Sequence, residues 1–337
     1  MAKLEAVKVL ENGNHQRRNT IKDFVFKYLL LSLALLGAMM IVFIFIFILS
    51  KSWSVLRASG LGFITDGGFS KQISTSYNLS PAEQTFKFGA LGLLTATILS
   101  TVGALILAIP VGIASAIIIC EFSHRAFGTF LQSVIRLLAC IPSIIYGLIG
   151  LMVVVPFIKE TFISPQLQIQ YLSDPVLRMQ LSGKSLLAGI IVLAIMIMPT
   201  ITALSADAIR AVPKSYKEAG LAMGLSHWRV VSKIILPAAR SGIFAGIILA
   251  AGRGTGEAIA LSMVAGGISN VPQLSHGGVF FLTPVLTLAS AIVNKSEAMS
   301  VPAIQSALFS CGVILLLTSV IFSLSTKLVE HTVRNSR

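Results

Sequence analysis

The stretch YLLLSLALLGAMMIVFIFIFIL, residues 28–49, contains no charged side chain. A helix needs about 20 predominantly apolar residues to cross a bilayer, and this stretch is long enough. A cleaved signal peptide has a shorter apolar core and a small-residue cleavage site after it. We therefore interpret residues 28–49 as an uncleaved first membrane span.

Similar apolar runs recur along the chain and set its class. Of the 337 residues 55% are hydrophobic and only 12% charged, with a mean hydropathy of +0.87. A soluble domain carries about twice that charged fraction. A shorter apolar run at 279–293 contains Pro284 and predicts a re-entrant or external helix. The prediction is an all-α polytopic membrane protein with six spans, at 28–49, 89–119, 130–158, 186–206, 242–266 and 304–325.

The basic residues give the orientation of these spans. The net charge is +13, but the lysines and arginines follow the loops instead of forming one patch for nucleic acid. With the N-terminus inside, 17 of the 26 fall in cytoplasmic segments, as the positive-inside rule requires. We expect both termini in the cytoplasm and membrane lipid as a partner. The predicted parts are a basic arm (1–27), a membrane domain (28–328) with a cytoplasmic loop (207–240), and a tail (329–337).

Motifs for catalysis or metal binding are not convincing. The run SGKS at 182–185 has Arg178 where a phosphate-binding loop needs glycine, and it falls outside the cell. The five histidines are separated and predicted to be surface residues, and the three cysteines lack metal-ligand spacing. We predict no metal, no cofactor and no catalytic residue. Because the sequence has no Walker-type loop, any energy must come from another chain or from a gradient.

The cytoplasmic loop DAIRAVPKSYKEAGLAMGLSHWRVVSKIILPAAR, residues 207–240, predicts two short helices. Pro213 suits a helix start, Gly224 suits a stop, and Ser226 can cap the second helix. Pro237 then precedes the fifth span. Local physics leaves two alternatives, a cytoplasmic knob that binds a partner and an amphipathic hairpin on anionic lipid.

The fifth span contains GRGTGEAIALSMVAGG, residues 252–267, with Arg253 and Glu257 four residues apart. In one continuous helix the two side chains would share a face, beside a row of small residues that admits neighbouring helices. Charges in a bilayer are costly and usually functional. Two alternatives stay open, a buried ion pair that fixes helix register and an anion pathway. In the pathway, Thr255 and Ser262 would be additional hydroxyl donors.

Family resemblance narrows these alternatives. The loop at residues 207–240 contains a motif that resembles the coupling loop of ABC importer permeases. Position 220 is glycine, where alanine is usual in that family. The stretches 137–151 (LLACIPSIIYGLIGL) and 252–266 resemble phosphate-specific transporter permeases of the PstC type, over roughly residues 85–330. The matching loop positions are Glu218, Ala219, Gly220, Gly224, Leu236 and Pro237.

This resemblance implies the MetI-like fold of a type I ABC importer permease in a bacterial cytoplasmic membrane. It implies as partners a second, PstA-type permease, two ATPase subunits and an external phosphate-binding protein. Arg253 and Glu257 would then handle phosphate in the pathway. The alternatives are a permease for sulfate, molybdate or phosphonate, and a proton-coupled secondary transporter using Glu257.

Overall fold

A computed structural model describes residues 2–80, 83–173, 180–271 and 274–335. Within these ranges the chain forms helices and no strand, apart from an isolated bridge between Gly266 and Val285. Contacts divide the chain into residues 1–50 and residues 51–337. The α-helices are α1 (Ala2–Ser59), α2 (Gly62–Thr65), α3 (Phe69–Asn78), α4 (Leu91–Ile117), α5 (Arg125–Ala139), α6 (Ser143–Ile149), α7 (Val155–Phe162), α8 (Pro165–Ser173), α9 (Leu186–Arg210), α10 (Lys214–Ala222), α11 (His227–Val230), α12 (Leu236–Thr255), α13 (Ile259–Val264), α14 (Leu288–Asn294) and α15 (Pro302–Asn335).

Three π-helical turns join some of these helices into longer ones. The turn at Ile118–Phe122 extends α4, Gly150–Val154 joins α6 to α7, and Val231–Ile235 joins α11 to α12. Six helices of the described ranges are then long and apolar enough to cross a membrane, which confirms the predicted all-α fold class with six spans. They are Phe26–Ser59, Leu91–Phe122, Ser143–Phe162, Leu186–Arg210, His227–Thr255 and Pro302–Leu328.

Helix α9 is the most buried of the six spans and lies between α4 and α12. Its first turn is capped by Ser185, whose hydroxyl accepts a hydrogen bond from the Ala188 amide. Small residues let α12 approach α9 closely. A β-carbon at Gly242 would lie 2.5 Å from that of Ala208, and one at Gly246 would lie 2.9 Å from that of Leu204. The two backbones therefore meet where the row of small residues predicts a close contact.

The single span predicted over 130–158 is wrong. The helix is interrupted at residues 140–142, between α5 and the helix that begins at Ser143. Pro142 has no amide hydrogen and an extended ψ of 138°, so the α5 ladder cannot continue through it. The membrane-length helix is Ser143–Phe162, and the 15-residue α5 precedes it as a separate helix.

The continuous helix predicted over 242–266 is also wrong. Helix α12 ends at Thr255, Gly256 follows as its C-terminal cap, and α13 begins only at Ile259. Glycines destabilise a helix interior, and three of them occur between residues 252 and 256. Because the helix breaks here, Arg253 and Glu257 do not lie on one helical face.

The region predicted as one helix at 279–293 is divided as well. A 3₁₀-helix at Leu274–Leu282 is followed by an irregular segment containing Pro284, and α14 starts at Leu288. Thr287 and Ser290 cap α14 reciprocally, and the helix packs against α15, α13 and α4. The segment is a set of short helices anchored on the bundle, and none is long enough to span a membrane.

Candidate functional site

Arg253 lies in the last turn of α12 and is half-buried. Its Nη1 donates to the backbone oxygen of Ala139 at 3.3 Å and to Oγ1 of Thr200 at 3.4 Å. Within the described ranges these are its hydrogen bonds, so the Nε and Nη2 hydrogens have no protein acceptor. A guanidinium with free donors in a half-buried position can bind an oxyanion in a bidentate manner.

Glu257 is buried, with 8% of its surface exposed, and its Oε1 accepts a hydrogen bond from the Ala260 amide at 3.0 Å. The carboxylate thus satisfies an amide in the first turn of α13, where the helix dipole favours a negative charge. No ion pair joins Glu257 to Arg253 in the part of the chain that the structure describes. The structure thus does not favour the alternative of a buried ion pair, because the helix breaks at Gly256 and the two side chains have different partners.

The two predicted hydroxyl donors are occupied by nearby groups. Thr255 is 1% exposed, and its Oγ1 contacts the backbone oxygen of Gly252 at 2.9 Å and Oγ of Ser319, on α15, at 3.1 Å. Ser262 is partly exposed and donates to the Ile259 oxygen at 2.8 Å. The structure brings Thr200 to Arg253 instead, a residue that the sequence analysis missed. The only sequence feature that marked Thr200 was its hydroxyl beside Pro199 inside an apolar span.

The loop at residues 207–240 contains two helices, α10 and α11, and the chain turns between them at Gly224. Gly224 has a φ of +78°, in the left-handed region that favours glycine. Its amide donates to the Leu221 oxygen at 2.9 Å, and the Leu225 amide donates to the Gly220 oxygen at 3.2 Å. This pair of backbone hydrogen bonds is a Schellman motif, and it ends α10 with a sharp reversal.

The second helix of the loop differs from the prediction in two ways. Ser226 occupies the N-cap position of α11, but its side chain makes no capping hydrogen bond. Pro237 lies in the first turn of α12 inside a continuous helix, His227–Thr255, instead of preceding a separate span. This helix begins just after the turn at Gly224 and reaches Arg253, so the loop and the guanidinium are joined by one continuous helix.

The loop presents a mixed apolar and charged surface. Glu218 and Ala219 are exposed, Gly220 is buried against Val230 and Ile234, and Leu236 is half-buried. Large apolar side chains beside them are exposed, with Met223 the most at 82%. A cavity of about 570 Å³ opens beside α10 and has Glu218 in its lining. The other exposed apolar residues are Tyr216, Leu221 and Trp228.

His227 is not the isolated surface residue that the sequence suggested. Its Nε2 lies 3.2 Å from Oε2 of Glu121, and Lys217 Nζ lies 2.6 Å from the same oxygen. Among the residues the structure describes, no group of three or more His, Cys, Asp or Glu side chains could hold a metal ion. This charged cluster involves residues about 100 positions apart in sequence, so no local pattern reveals it.

Residues 108–335 match the family of binding-protein-dependent transport system inner membrane components. The chain belongs to this family, which confirms the ABC importer permease class expected from the loop motif. It is a multi-pass membrane protein of a transport system.

Two relatives and one solved structure illustrate the similarity. The chain is 35% identical over 270 residues to a probable ABC transporter permease protein, YqgH, of Bacillus subtilis, covering 80% of this chain and 81% of that protein. It is 31% identical over 303 residues to the phosphate transport system permease protein PstC of Mesorhizobium japonicum, covering 89% and 87%. A chain of the MetNI methionine ABC transporter, solved in inward-facing conformations, matches with a TM-score of 0.47 at 17% identity. That match covers 73% of this chain and 94% of that one.

Proposed function

We propose that the chain is the permease subunit of an ATP-driven importer of inorganic phosphate. The observation that carries this proposal is Arg253, a half-buried guanidinium in the helix bundle with donors free of protein acceptors. Its fixed charge and forked geometry suit a tetrahedral oxyanion. The phosphate transport permeases among its relatives support phosphate as that oxyanion.

The pathway site consists of Arg253, positioned by Thr200 and by the Ala139 carbonyl. Since these contacts occupy Nη1 alone, the remaining donors can exchange between water and phosphate during transport. Glu257 acts on the backbone of α13 and places a negative charge in the same region of the chain. Such a charge keeps anion affinity low enough for release. Thr255 and Ser262 contribute to helix packing and not to substrate contact, because their hydroxyls already have partners.

The exposed loop around Gly224 supplies the coupling surface in this proposal. Glu218, Ala219 and the apolar residues of the turn dock on an ATPase subunit. Since this chain belongs to a family of permeases, ATP is hydrolysed by that separate subunit. Two such ATPase subunits, a PstA-type second permease and an external phosphate-binding protein complete the importer. Both termini lie in the cytoplasm, on the side where the basic loops concentrate. Nucleotide and the loaded binding protein favour different conformations, and this difference drives alternating access.

The substrate is tested by reconstituting the complex in proteoliposomes. ATP hydrolysis is measured with binding proteins loaded with phosphate, sulfate, molybdate or phosphonate. We expect phosphate alone to stimulate hydrolysis and to accumulate inside. Stimulation by another oxyanion with none by phosphate would assign the permease to that oxyanion. Uptake by this chain alone, independent of ATP and abolished by an uncoupler, would instead make it a secondary transporter.

The role of Arg253 is tested with Arg253→Lys and Arg253→Gln. Lysine keeps a charge without the fork, and glutamine keeps polarity without the charge. We expect both to lower phosphate uptake at least tenfold, which corresponds to about 1.4 kcal/mol of lost stabilisation. Normal uptake by both variants, at wild-type membrane levels, would rule out a pathway role for Arg253.

A further inference from the structure

The π-helical turn Ile118–Phe122 at the end of α4 contacts three other elements through three consecutive residues. Cys120 Sγ lies 3.5 Å from the Ala206 oxygen of α9. Glu121 contacts Lys217 of α10 and His227 of α11. The ring of Phe122 lies 5.1 Å from that of His227, between centroids. One turn of helix thus joins two membrane spans to both arms of the cytoplasmic loop.

Glu121 is the centre of this arrangement. Its side chain is only 9% exposed, whereas those of Lys217 and His227 are each 38% exposed. A single oxygen, Oε2, accepts from Lys217 Nζ at 2.6 Å and from His227 Nε2 at 3.2 Å. A nearly buried carboxylate depends strongly on such partners, since an unpaired charge in that position is costly. Glu121 therefore holds both arms of the turn at Gly224 to the end of α4.

The two arms would otherwise have different connections to the membrane bundle. Helix α11 continues directly into α12 and so moves with Arg253. The end of α4 contacts the loop through side chains, without a direct chain connection. Helices α4 and α12 also face each other at Thr101 and Gly254. A β-carbon at Gly254 would lie 3.5 Å from the Thr101 methyl group. If the loop moved α12 alone, this contact between α4 and α12 would have to slide.

We propose that Glu121 is a positioning residue that makes α4 move together with α12 when the cytoplasmic loop is displaced. The inference rests on the proposed function, in which an ATPase subunit displaces the loop. The ion pair of Glu121 with Lys217 and its hydrogen bond with His227 transmit the displacement of α10 and α11 to α4. The helix His227–Thr255 transmits the same displacement to Arg253. Loss of the charge leaves docking and ATP hydrolysis intact but separates them from opening of the pathway.

The first test compares Glu121→Gln with the wild type in the reconstituted complex. Glutamine has the same shape but cannot form the ion pairs with Lys217 and His227. We expect a fall of about fivefold in phosphate imported per ATP hydrolysed, the lower end of common coupling between sites. The amount of copurified ATPase subunit should be unchanged. Lys217→Met removes a more exposed partner and should lower the same ratio if Glu121→Gln does not fold.

The matched control is Arg136→Gln. Arg136 Nη2 pairs with Asp207 Oδ1 at 2.8 Å and links α5 to α9, with side chains 59% and 48% exposed. At 2.8 Å this bridge is close in length to the 2.6 Å pair of Lys217 and Glu121, but Arg136 and Asp207 lie on α5 and α9 and not on α10 or α11. Exposed bridges of this kind contribute little. Its loss should leave the ratio of phosphate to ATP at the wild-type value. An equal ratio in Glu121→Gln and Arg136→Gln overturns the proposal, and so does loss of the ATPase subunit from Glu121→Gln.

A second measurement does not depend on the substrate. Hydrogen exchange of the amides at Ile118–Phe122 is followed in the complex with and without ATP and vanadate. We expect nucleotide to change their exchange in the wild type and in Arg136→Gln, but not in Glu121→Gln. A wild-type response in Glu121→Gln overturns the inference. Failure of the wild-type complex to import phosphate would contradict the proposed function alone, since the exchange result still decides the role of Glu121.

Discussion

Oγ1 of Thr200 lies 3.4 Å from Nη1 of Arg253, although 53 residues separate them in the chain. Thr200 follows Pro199 in the middle of α9, the most buried span. The Thr200 side chain therefore links the central helix of the bundle to the guanidinium at the end of α12. It limits the directions in which the free donors of Arg253 can point.

Thr200→Val removes this hydrogen bond with little change in shape. A typical intramolecular hydrogen bond contributes about 1 kcal/mol, so we expect phosphate uptake to fall about fivefold at an unchanged membrane level. Thr200→Ser keeps the hydroxyl and should retain most of the uptake. Equal uptake by the two variants would show that the Thr200 hydroxyl does not position Arg253.

Glu257→Gln and Glu257→Leu separate two roles of this carboxylate, its negative charge and its hydrogen bond from the Ala260 amide. Glutamine keeps an oxygen for the Ala260 amide, whereas leucine leaves that buried amide without an acceptor. An unsatisfied buried group costs about 1–3 kcal/mol, so only the leucine variant should melt at a clearly lower temperature in detergent. Because no ion pair joins Glu257 to Arg253, the double variant Arg253→Met, Glu257→Leu should not regain uptake. Its recovery would contradict the separation of these side chains.

Gly242→Ala is expected to destabilise the bundle. The new β-carbon would meet that of Ala208 at 2.5 Å, and overpacking of this kind costs about 1–3 kcal/mol. Gly252→Ala is the matched control in the same helix, since no atom lies within 4 Å of a β-carbon there. It should be neutral or stabilise the helix by about 0.5–1 kcal/mol. Thermal unfolding in detergent measures both, and equal melting temperatures would argue against a close contact between α9 and α12.

Gly224→Ala tests the turn between α10 and α11. A β-carbon has space there, but the left-handed backbone costs an alanine about 1–2 kcal/mol. We expect less ATPase subunit to copurify with this variant and uptake to fall in proportion. Gly224→Asn should bind more of the subunit than Gly224→Ala, because asparagine tolerates this backbone better. The reverse order would mean that the backbone conformation at Gly224 does not govern docking.

Composition and apolar run length were sufficient to predict the membrane fold. Six spans follow from runs of about 20 apolar residues, which is a property of the bilayer and needs no tertiary contact. The turn at Gly224 was equally predictable, because a glycine that ends a helix acts through its own backbone. The family motif then predicts a coupling function for the loop.

The breaks inside two spans were harder to predict. Pro142 lies inside the span predicted at 130–158, but a proline in a membrane helix can be tolerated, and the packing around it decides the outcome. The break after α12 is accompanied by a hydrogen bond from the Ala260 amide to Glu257, and the apolar run through residues 242–266 does not reveal it. Arg253, Thr200 and the Glu121 cluster are brought together by packing of distant segments, which spacing in the sequence does not encode.

The reversal at Gly224 is formed by main-chain hydrogen bonds, from the Gly224 amide to the Leu221 oxygen and from the Leu225 amide to the Gly220 oxygen. The side chain of Met223, at the tip of the turn, therefore does not form it, and this residue is almost fully exposed. Under the proposed docking of an ATPase subunit on this loop, substitutions of Met223 would alter which ATPase binds without disturbing the turn. Exchange of motor subunits between related importers would thus require changes at a few exposed side chains and none in the turn itself.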